Sequence, residues 1–293
     1  MSPVPSIPLR VATVQARAVP GDVAHNAAHA ATLAATAAAD GAQLVVFPEL
    51  HLCGYHLAAL ATDHTAEVAA DQHGHVRDER LRPLTARAGG ADVAVLLGAA
   101  VRRPDGRLTN SLILSVEGRC QVVYDKAHLW HDENTLFTAG GTAADLDVGP
   151  WRIGLGICYD MSFPEHARAA AVRGAHLYVA ASAFAAGAEH RAAIYLASRA
   201  LENTIYCAFI NPVGGPEHRP CRGGTAVWGP GGARLADAGG DIERVLLTDL
   251  DPGQMTAARK GLRMLAEHRR QSAAPTDPSV AESPQQRRRF SIS

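Results

Sequence analysis

The reactive residues of this 293-residue chain stand at the ends of apolar runs, beginning with Cys158. Residues 151–157 predict a buried strand that delivers the Cys158 thiol to a sharp turn before a helix. Unpaired N–H groups at a helix start favour negative charge, so a thiolate or an oxyanion would be stabilised there. A free cysteine in a strand is nevertheless more often inert core packing. Cys158 is therefore interpreted together with two other segments.

Glu49 and Lys126 offer a base and a cation in comparable positions. Glu49 follows the apolar run 44–47, and burial at a strand end raises the pKa of a carboxyl toward the range of a general base. Such a carboxyl suits a general base that must accept and return a proton. Lys126 follows the predicted strands 110–116 and 118–124 and stands among apolar neighbours.

The segments around these residues resemble the motifs of the nitrilase superfamily of carbon–nitrogen hydrolases. The resemblance rests on Phe47-Pro48-Glu49-Leu50 with Gly54-Tyr55, on residues 126–129 with Glu133 and Phe137, and on residues 156–160 with 163–165. It continues through residues 199–203, Asn211, and 223–225 with Pro230 and Gly232, and it covers roughly residues 8–260. Five ordered blocks make the resemblance specific.

The resemblance implies a mechanism. Cys158 would attack an amide carbonyl and form a thioester, while Glu49 takes the thiol proton and returns it to the departing amine. Lys126 and the backbone N–H of Tyr159 would hold the oxyanion. Glu133, which would be expected at the surface if taken alone, is then a pocket carboxylate that orients Lys126 and the substrate nitrogen. The reaction needs no metal or organic cofactor.

Five further residues are candidates for the substrate pocket, although core packing is the alternative role of each: Tyr55, Phe163, Phe184, His190 and Arg191. Many family members have His-Trp where this chain has His190-Arg191. We predict that Arg191 faces the cleft and binds an anionic substrate; a surface arginine near a helix start is the alternative.

The residues after the cysteine bear on the substrate. Cys158-Tyr159-Asp160 is similar to the amidase and carbamoyl-amidase branches, whereas nitrile-cleaving members usually have Cys-Trp-Glu. The sequence therefore predicts hydrolysis of a small-molecule amide to an acid and ammonia or an amine. N-carbamoyl amine hydrolysis is the alternative. A nitrilase is less favoured on the same residues, and an inactive binding scaffold is less favoured because Glu49, Lys126, Cys158 and Glu133 are intact.

Composition narrows the class of protein. The chain is 47% hydrophobic and 19% charged with a formal net charge of −1, which argues against nucleic-acid or membrane partners. The first five residues show no charged-then-apolar pattern, so no secretory leader is expected. The odd set of five cysteines has no paired spacing, so a reducing, cytoplasmic location is predicted. The pair His25/His29 lacks a nearby third metal ligand, and His128 of the pair His128/His131 is interpreted as fixing the Lys126 loop.

One domain and a tail are predicted. Residues 1–271 form the carbon–nitrogen hydrolase domain, and residues 272–293 form a low-complexity tail that is either disordered or a subunit-contact arm. Helices are predicted at 22–41, 78–88, 164–174 and 188–203, and further strands at 9–14, 91–102, 177–180, 204–211, 224–228 and 244–249. This alternation indicates an α/β fold. The resemblance refines it to a four-layer α-β-β-α sandwich of two mixed sheets, assembled as a homodimer or higher homo-oligomer.

Overall fold

The computed structural model describes residues 3–86, 93–141, 143–273 and 288–292. Its strands make up two large sheets and one small one. The strands of the first half are β1 (Leu9–Gln15), β2 (Leu44–Val46), β3 (Val68–Ala69), β4 (Ala94–Arg102), β5 (Leu108–Val116), β6 (Arg119–Asp125), β7 (Ala144–Val148) and β8 (Trp151–Ile157). Those of the second half are β9 (Leu177–Ala181), β10 (Tyr206–Ile210), β11 (Val213–Gly214), β12 (Cys221–Arg222), β13 (Ala226–Trp228), β14 (Arg234–Asp237), β15 (Arg244–Leu250) and β16 (Arg288–Ile292).

Both large sheets are mixed. The first has the order β15-β1-β2-β4-β5-β6, with β3 paired to β4. Strands β1, β2 and β4 run parallel, whereas β15, β5 and β6 pair antiparallel to their neighbours. The second sheet has the order β14-β13-β10-β9-β8-β7-β16, and its centre β8-β9-β10 is parallel. The mixed sheets and the α/β class agree with the sequence prediction.

The helices lie outside the sheets. They are α1 (Val23–Ala39), α2 (Leu57–Leu60), α3 (Arg82–Thr85), α4 (Pro164–Arg173), α5 (Glu189–Asn203), α6 (Pro252–Gly261) and α7 (Met264–Ala273). Helix α1 covers the first sheet, while α4 packs on β8 and α5 on β10 of the second. The predicted helix caps are present: the Asp22 side chain accepts from the His25 N–H, and Gly174 ends α4 in the left-handed conformation.

Alternating side chains divide the first sheet between two cores. Leu9 and Val11 of β1 face the second sheet, whereas Ala12 and Val14 face α1. Helix α1 meets them with alanines at three- and four-residue spacing, which lets the helix approach the sheet closely. The layers are therefore helix, sheet, sheet and helix, as the resemblance implied.

The predicted helix at 78–88 is corrected by the structure. Residues Glu79–Leu81 form a single 3-10 turn, and the short helix α3 follows at Arg82–Thr85. Pro83 lies at the start of α3, where it fits a first helical turn but cannot continue a helix from Glu79. Residues 87–88 of this prediction lie outside the described residues.

The predicted division at residue 271 stays a prediction. Residues 272–273 continue α7, and residues 274–287 lie outside the described residues. Residues 288–292 form β16, which pairs in parallel with β7 and ends the second sheet. Among the helices that the structure describes, none is both long and apolar enough to cross a membrane.

Candidate active site

Cys158 begins a 3-10 turn directly after the buried strand β8. Its φ of 47° lies in the left-handed region, which costs a residue with a Cβ about 1–3 kcal/mol. Such strain turns the chain sharply, so the thiol leaves the sheet at the carboxyl end of β8. The thiol position predicted from the sequence is therefore confirmed by the geometry.

Asp160 links the Cys158 turn to the Lys126 loop by hydrogen bonds. One of its oxygens accepts from the backbone N–H of His128 at 2.9 Å and contacts Nδ1 of the same residue at 2.9 Å. The other accepts from the Ile157 N–H at 2.9 Å and from the Tyr124 hydroxyl at 2.8 Å. Although burial opposes the charge, these hydrogen bonds hold the pKa of Asp160 below its usual value. His128 thus fixes the Lys126 loop, as predicted.

Glu49 is positioned by a second strained turn at the end of β2. Leu50 has a φ of 50°, and the Glu49 N–H donates to the Ser182 carbonyl of the second sheet's loop at 3.2 Å. Gly98 of β4 lies directly beneath: a Cβ there would meet the Leu50 nitrogen at 2.2 Å and the Pro48 oxygen at 2.5 Å. Only glycine lets the turn approach β4 this closely.

Lys126 joins two carboxylates in the interior. Its Nζ donates to Oε1 of Glu49 at 2.6 Å and lies 2.8 Å from both oxygens of Glu133. All three side chains are inaccessible to solvent. Burial opposes the charge of Lys126, but the nearby Glu49, Cys158 and Glu133 raise its pKa above the ordinary value. Lys126 therefore remains an ammonium and cannot act as the base.

Glu133 is held by donors on every side. Besides Lys126, it accepts from the Tyr55 hydroxyl at 2.8 Å and from the Trp130 N–H at 2.7 Å. Its side chain is buried in a 3-10 turn, His131–Thr135. The predicted position of Glu133 beside Lys126 agrees with the structure, and its predicted role in orienting the substrate nitrogen stays a prediction.

The two oxygens of Glu49 have different surroundings. Oε1 accepts from Lys126 and from the Asn110 amide at 2.8 Å. Oε2 is buried and has no hydrogen-bond partner among the described residues. Burial, opposed by Lys126 and aided by Glu133, raises the pKa of Glu49 to about 7. A carboxylate with a free oxygen and this pKa suits proton transfer near neutrality.

The negative charge of Glu49 affects the pKa of the Cys158 thiol. Burial first, and then the charge of Glu49, raise its pKa well above the usual value, while Lys126 and a backbone hydrogen bond from Ala183 oppose the shift. The thiol is therefore protonated at neutral pH and needs a base before it can attack.

A cavity of about 140 Å³ opens onto Cys158. It is lined by Tyr55, Trp130, Tyr159, Ser162, Phe184, Ala185, Ala188, Arg191 and Arg219. The predicted pocket residues Tyr55, Phe184 and Arg191 are thus brought together with Tyr159, the predicted oxyanion donor. The cavity is small compared with the roughly 300–1,000 Å³ of drug-sized sites, so a small substrate fits it best.

Two predicted pocket residues do not lie on the cavity wall. Phe163 stacks on the His128 ring, with centroids 3.8 Å apart, and stands behind Tyr159. His190 is exposed at the start of α5, where its Nδ1 contacts the Gly187 carbonyl at 3.0 Å. The helix turns adjacent residues to different sides, so Arg191, although exposed, lies on the cavity wall and His190 does not.

Sequence reasoning missed Asn110, Trp130 and Arg219. Asn110 is a polar residue in the otherwise apolar strand β5, and that interruption was a usable signal. Trp130 immediately precedes the charged turn that holds Glu133. Arg219 lies in a loop rich in glycine and proline, where no periodicity indicates what its side chain contacts.

Comparison with known proteins agrees with this geometry. The carbon–nitrogen hydrolase family profile matches residues 10–260. An (R)-stereoselective amidase of Pseudomonas sp. is 33% identical over 265 residues, which cover 89% of this chain and 92% of that protein. The structure of Saccharomyces cerevisiae Nit3, a member of branch 10 of the nitrilase superfamily, superposes with a TM-score of 0.79 at 26% identity, covering 89% of this chain and 96% of that one.

An amidase of Nesterenkonia sp. AN1 also superposes, with a TM-score of 0.73 at 28% identity, over 92% of this chain and 99% of that one. That structure shows covalent addition of the acetamide moiety of fluoroacetamide at the active-site cysteine. The family match spans most of the chain and includes all three segments of the site. This chain therefore belongs to the carbon–nitrogen hydrolase family.

Proposed function

We propose that this protein hydrolyses a small-molecule amide to an acid and ammonia or an amine through a thioester on Cys158. The observation that carries the proposal is the unpartnered Oε2 of Glu49, in electrostatic contact with a thiol whose pKa is raised. A protonated nucleophile beside an unoccupied basic oxygen supports proton transfer between them.

The steps follow from these groups. Glu49 takes the Cys158 proton as sulfur bonds to the amide carbon, and the resulting oxyanion is held by Lys126 and the Tyr159 N–H. Glu49 then gives the proton to the leaving nitrogen, and the carbon–nitrogen bond breaks. Water, deprotonated by Glu49, attacks the thioester, and the acid and the thiol are released.

Glu133 has a positioning role in this proposal. Its two oxygens fix the Lys126 ammonium, and the Tyr55 hydroxyl fixes Glu133 in turn. The ammonium is therefore pre-oriented, and its charge requires little reorganisation when the oxyanion forms. Cys53, Cys158, Cys207 and Cys221 are buried free thiols, which supports the proposed reducing, cytoplasmic location.

Acyl transfer to hydroxylamine tests the thioester. The wild-type protein is expected to convert acyl amides to hydroxamates, and Cys158→Ser is expected to lose this activity by at least about 10³-fold. Equal hydroxamate formation by both proteins would favour an inactive binding scaffold.

A substrate panel then assigns the bond that is cut. Amides should release ammonia or an amine without carbon dioxide, as the amidase names of two similar proteins suggest. Release of carbon dioxide from ureido compounds would instead support N-carbamoyl amine hydrolysis. Turnover of nitriles alone would support a nitrilase.

A further inference from the structure

Two arginines face the Cys158 cavity without a carboxylate partner. Arg191 and Arg219 both line the cavity. Neither forms an ion pair with any aspartate or glutamate within residues 3–86, 93–141, 143–273 and 288–292. A cation beside a reaction cavity keeps its full charge for a ligand when no protein carboxylate neutralises it.

Aromatic rings hold both guanidinium groups in place. The Arg219 guanidinium carbon lies 4.4 Å from the centroid of the Tyr55 ring, and Arg219 is half-buried. The Arg191 guanidinium carbon lies 5.9 Å from the Trp130 ring and 5.7 Å from the Phe184 ring. A guanidinium above an aromatic ring can direct in-plane N–H donors past the ring, in the geometry that binds a carboxylate.

The distribution of charge inside the site also favours an anionic group on the substrate. The Lys126 ammonium is already matched by Glu49 and Glu133, so the inner group has no excess positive charge. Among the described residues, the positive charge of the cavity without an ion-pair partner lies on Arg191 and Arg219, which line the cavity together with Cys158. An anionic group of the substrate would therefore bind to these two side chains.

We propose that Arg191 and Arg219 bind the carboxylate of the substrate, which is then a short primary amide with a carboxylate at its far end. This inference rests on the proposed amide hydrolysis and adds the substrate class. The cavity of about 140 Å³ admits a chain of only a few carbons between the amide and the carboxylate.

A series of three amides tests the proposal on the wild-type protein. The amides have the same chain length and end in a carboxylate, a methyl group or an ammonium. We expect kcat/KM to be about 10–100-fold higher for the carboxylate than for the methyl amide, and lowest for the ammonium. The preference should weaken as salt rises, because exposed charges are screened.

Two substitutions assign the preference to the arginines. Arg219→Met keeps an unbranched apolar stem against Tyr55 but removes the charge, and Arg191→Met does the same beside Trp130 and Phe184. Each should reduce the ratio of kcat/KM between the carboxylate and methyl amides, chiefly through KM for the carboxylate amide. Arg222→Met is the matched control, because Arg222 is exposed and lies near Asp241 rather than in the cavity.

The outcomes separate the two proposals. If none of the amides is hydrolysed, the proposed amide hydrolysis itself fails. If they are hydrolysed with equal kcat/KM, or the ratio is unchanged in both arginine variants, the carboxylate site is wrong while the hydrolase stands. A ratio that also falls in Arg222→Met would show a general effect of net charge and would overturn the assignment to these two residues.

Discussion

The thiol and the carboxylate of this site are matched in protonation state. Burial keeps the Cys158 thiol protonated, and burial also raises the pKa of Glu49 to about 7. In the proposed mechanism, the same desolvation thus gives a nucleophile that needs a base and a base able to release its proton near neutral pH. Lys126 keeps its charge because two carboxylates surround it.

The pH dependence of kcat/KM follows from Glu49. Below its pKa the carboxyl is protonated and cannot accept the thiol proton, so kcat/KM should fall as pH falls through about 7. Because Glu49 interacts with its neighbours, the measured value belongs to the group as a whole. Glu49→Gln should lose this dependence and about 10²–10⁴ in rate. Constant kcat/KM between about pH 5 and 8 in the wild type would refute the assignment of the base.

Asp160 is expected to position the nucleophile. In Asp160→Asn the amide NH₂ would meet either the His128 N–H or the Ile157 N–H, so donors would face donors. We expect a loss of about 1–3 kcal/mol in unfolding free energy and a lower kcat, measured by thermal denaturation and steady-state kinetics. Asp105→Asn, at an exposed ion pair with Arg107, should change neither. A fully active, equally stable Asp160→Asn protein would contradict this role.

For individual residues, the sequence predicted those that belong to the motifs but not the residues that contact them in the site. Glu49, Lys126, Cys158 and Glu133 stand in short local patterns, and the structure brings all four together. Asn110 and Arg219 enter the site only through contacts 61 and 164 residues distant from Glu49 and Tyr55, respectively. No local pattern carries such contacts.

The turns that end β2 and β8 share a design. Leu50, which follows Glu49, and Cys158 itself both have positive φ, and each turn lies near a glycine whose Cβ would meet a neighbouring residue at less than 3.0 Å. Gly98 lies under the Glu49 turn, and a Cβ on Gly156 would meet the Tyr178 hydroxyl at 2.3 Å. These elements hold the reactive side chains by backbone geometry rather than by side-chain packing alone.

Gly98→Ala tests the turn at Glu49. The added methyl would overlap backbone atoms of Pro48, Glu49 and Leu50, so the turn must move and carry the carboxylate away from Lys126. We expect a drop in kcat of at least about tenfold and a loss of about 1–3 kcal/mol in stability. Gly141→Ala is the control, since its Cβ meets no atom within 4 Å. Equal kinetics for the two variants would show that the close approach is unimportant.

Helices were predicted correctly from the sequence where the hydrophobic pattern and the capping residues agreed. Helix α1 has its Asp22 cap and its spaced alanines, and its predicted bounds of 22–41 enclose the observed Val23–Ala39. The segment at 78–88 has a capping aspartate too, but Pro83 interrupts it and only short turns form. Helices α6 and α7 were not predicted from the sequence.

The site exists only because the two sheets pack together. Glu49 and Lys126 follow strands of the first sheet, whereas Cys158 follows β8 of the second. The hydrogen bond from Glu49 to Ser182 joins the two sheets at this point. The family resemblance supplied this architecture; strand patterns alone indicated only an α/β fold, since they do not say which sheet a strand joins.

The predicted homo-oligomer remains a proposal at the scale of the whole molecule. Ile194 and Leu201 of α5 are 63% and 41% exposed and lie seven residues apart, on one face of the helix. We expect light scattering to give a dimer or larger assembly, and the double substitution Ile194→Glu and Leu201→Glu to reduce its size. A wild-type monomer at micromolar concentration would contradict the proposal.

The central claim is a covalent acyl group on Cys158, and intact-protein mass spectrometry after rapid acid quenching measures it directly. With a slowly hydrolysed amide, the wild-type mass should increase by one acyl group, and peptide mapping should place it on Cys158. Cys158→Ala should show no adduct and no turnover, with the other four cysteines unmodified in both proteins. Amide turnover that persists in Cys158→Ala, or an acyl group on another residue, would contradict the account.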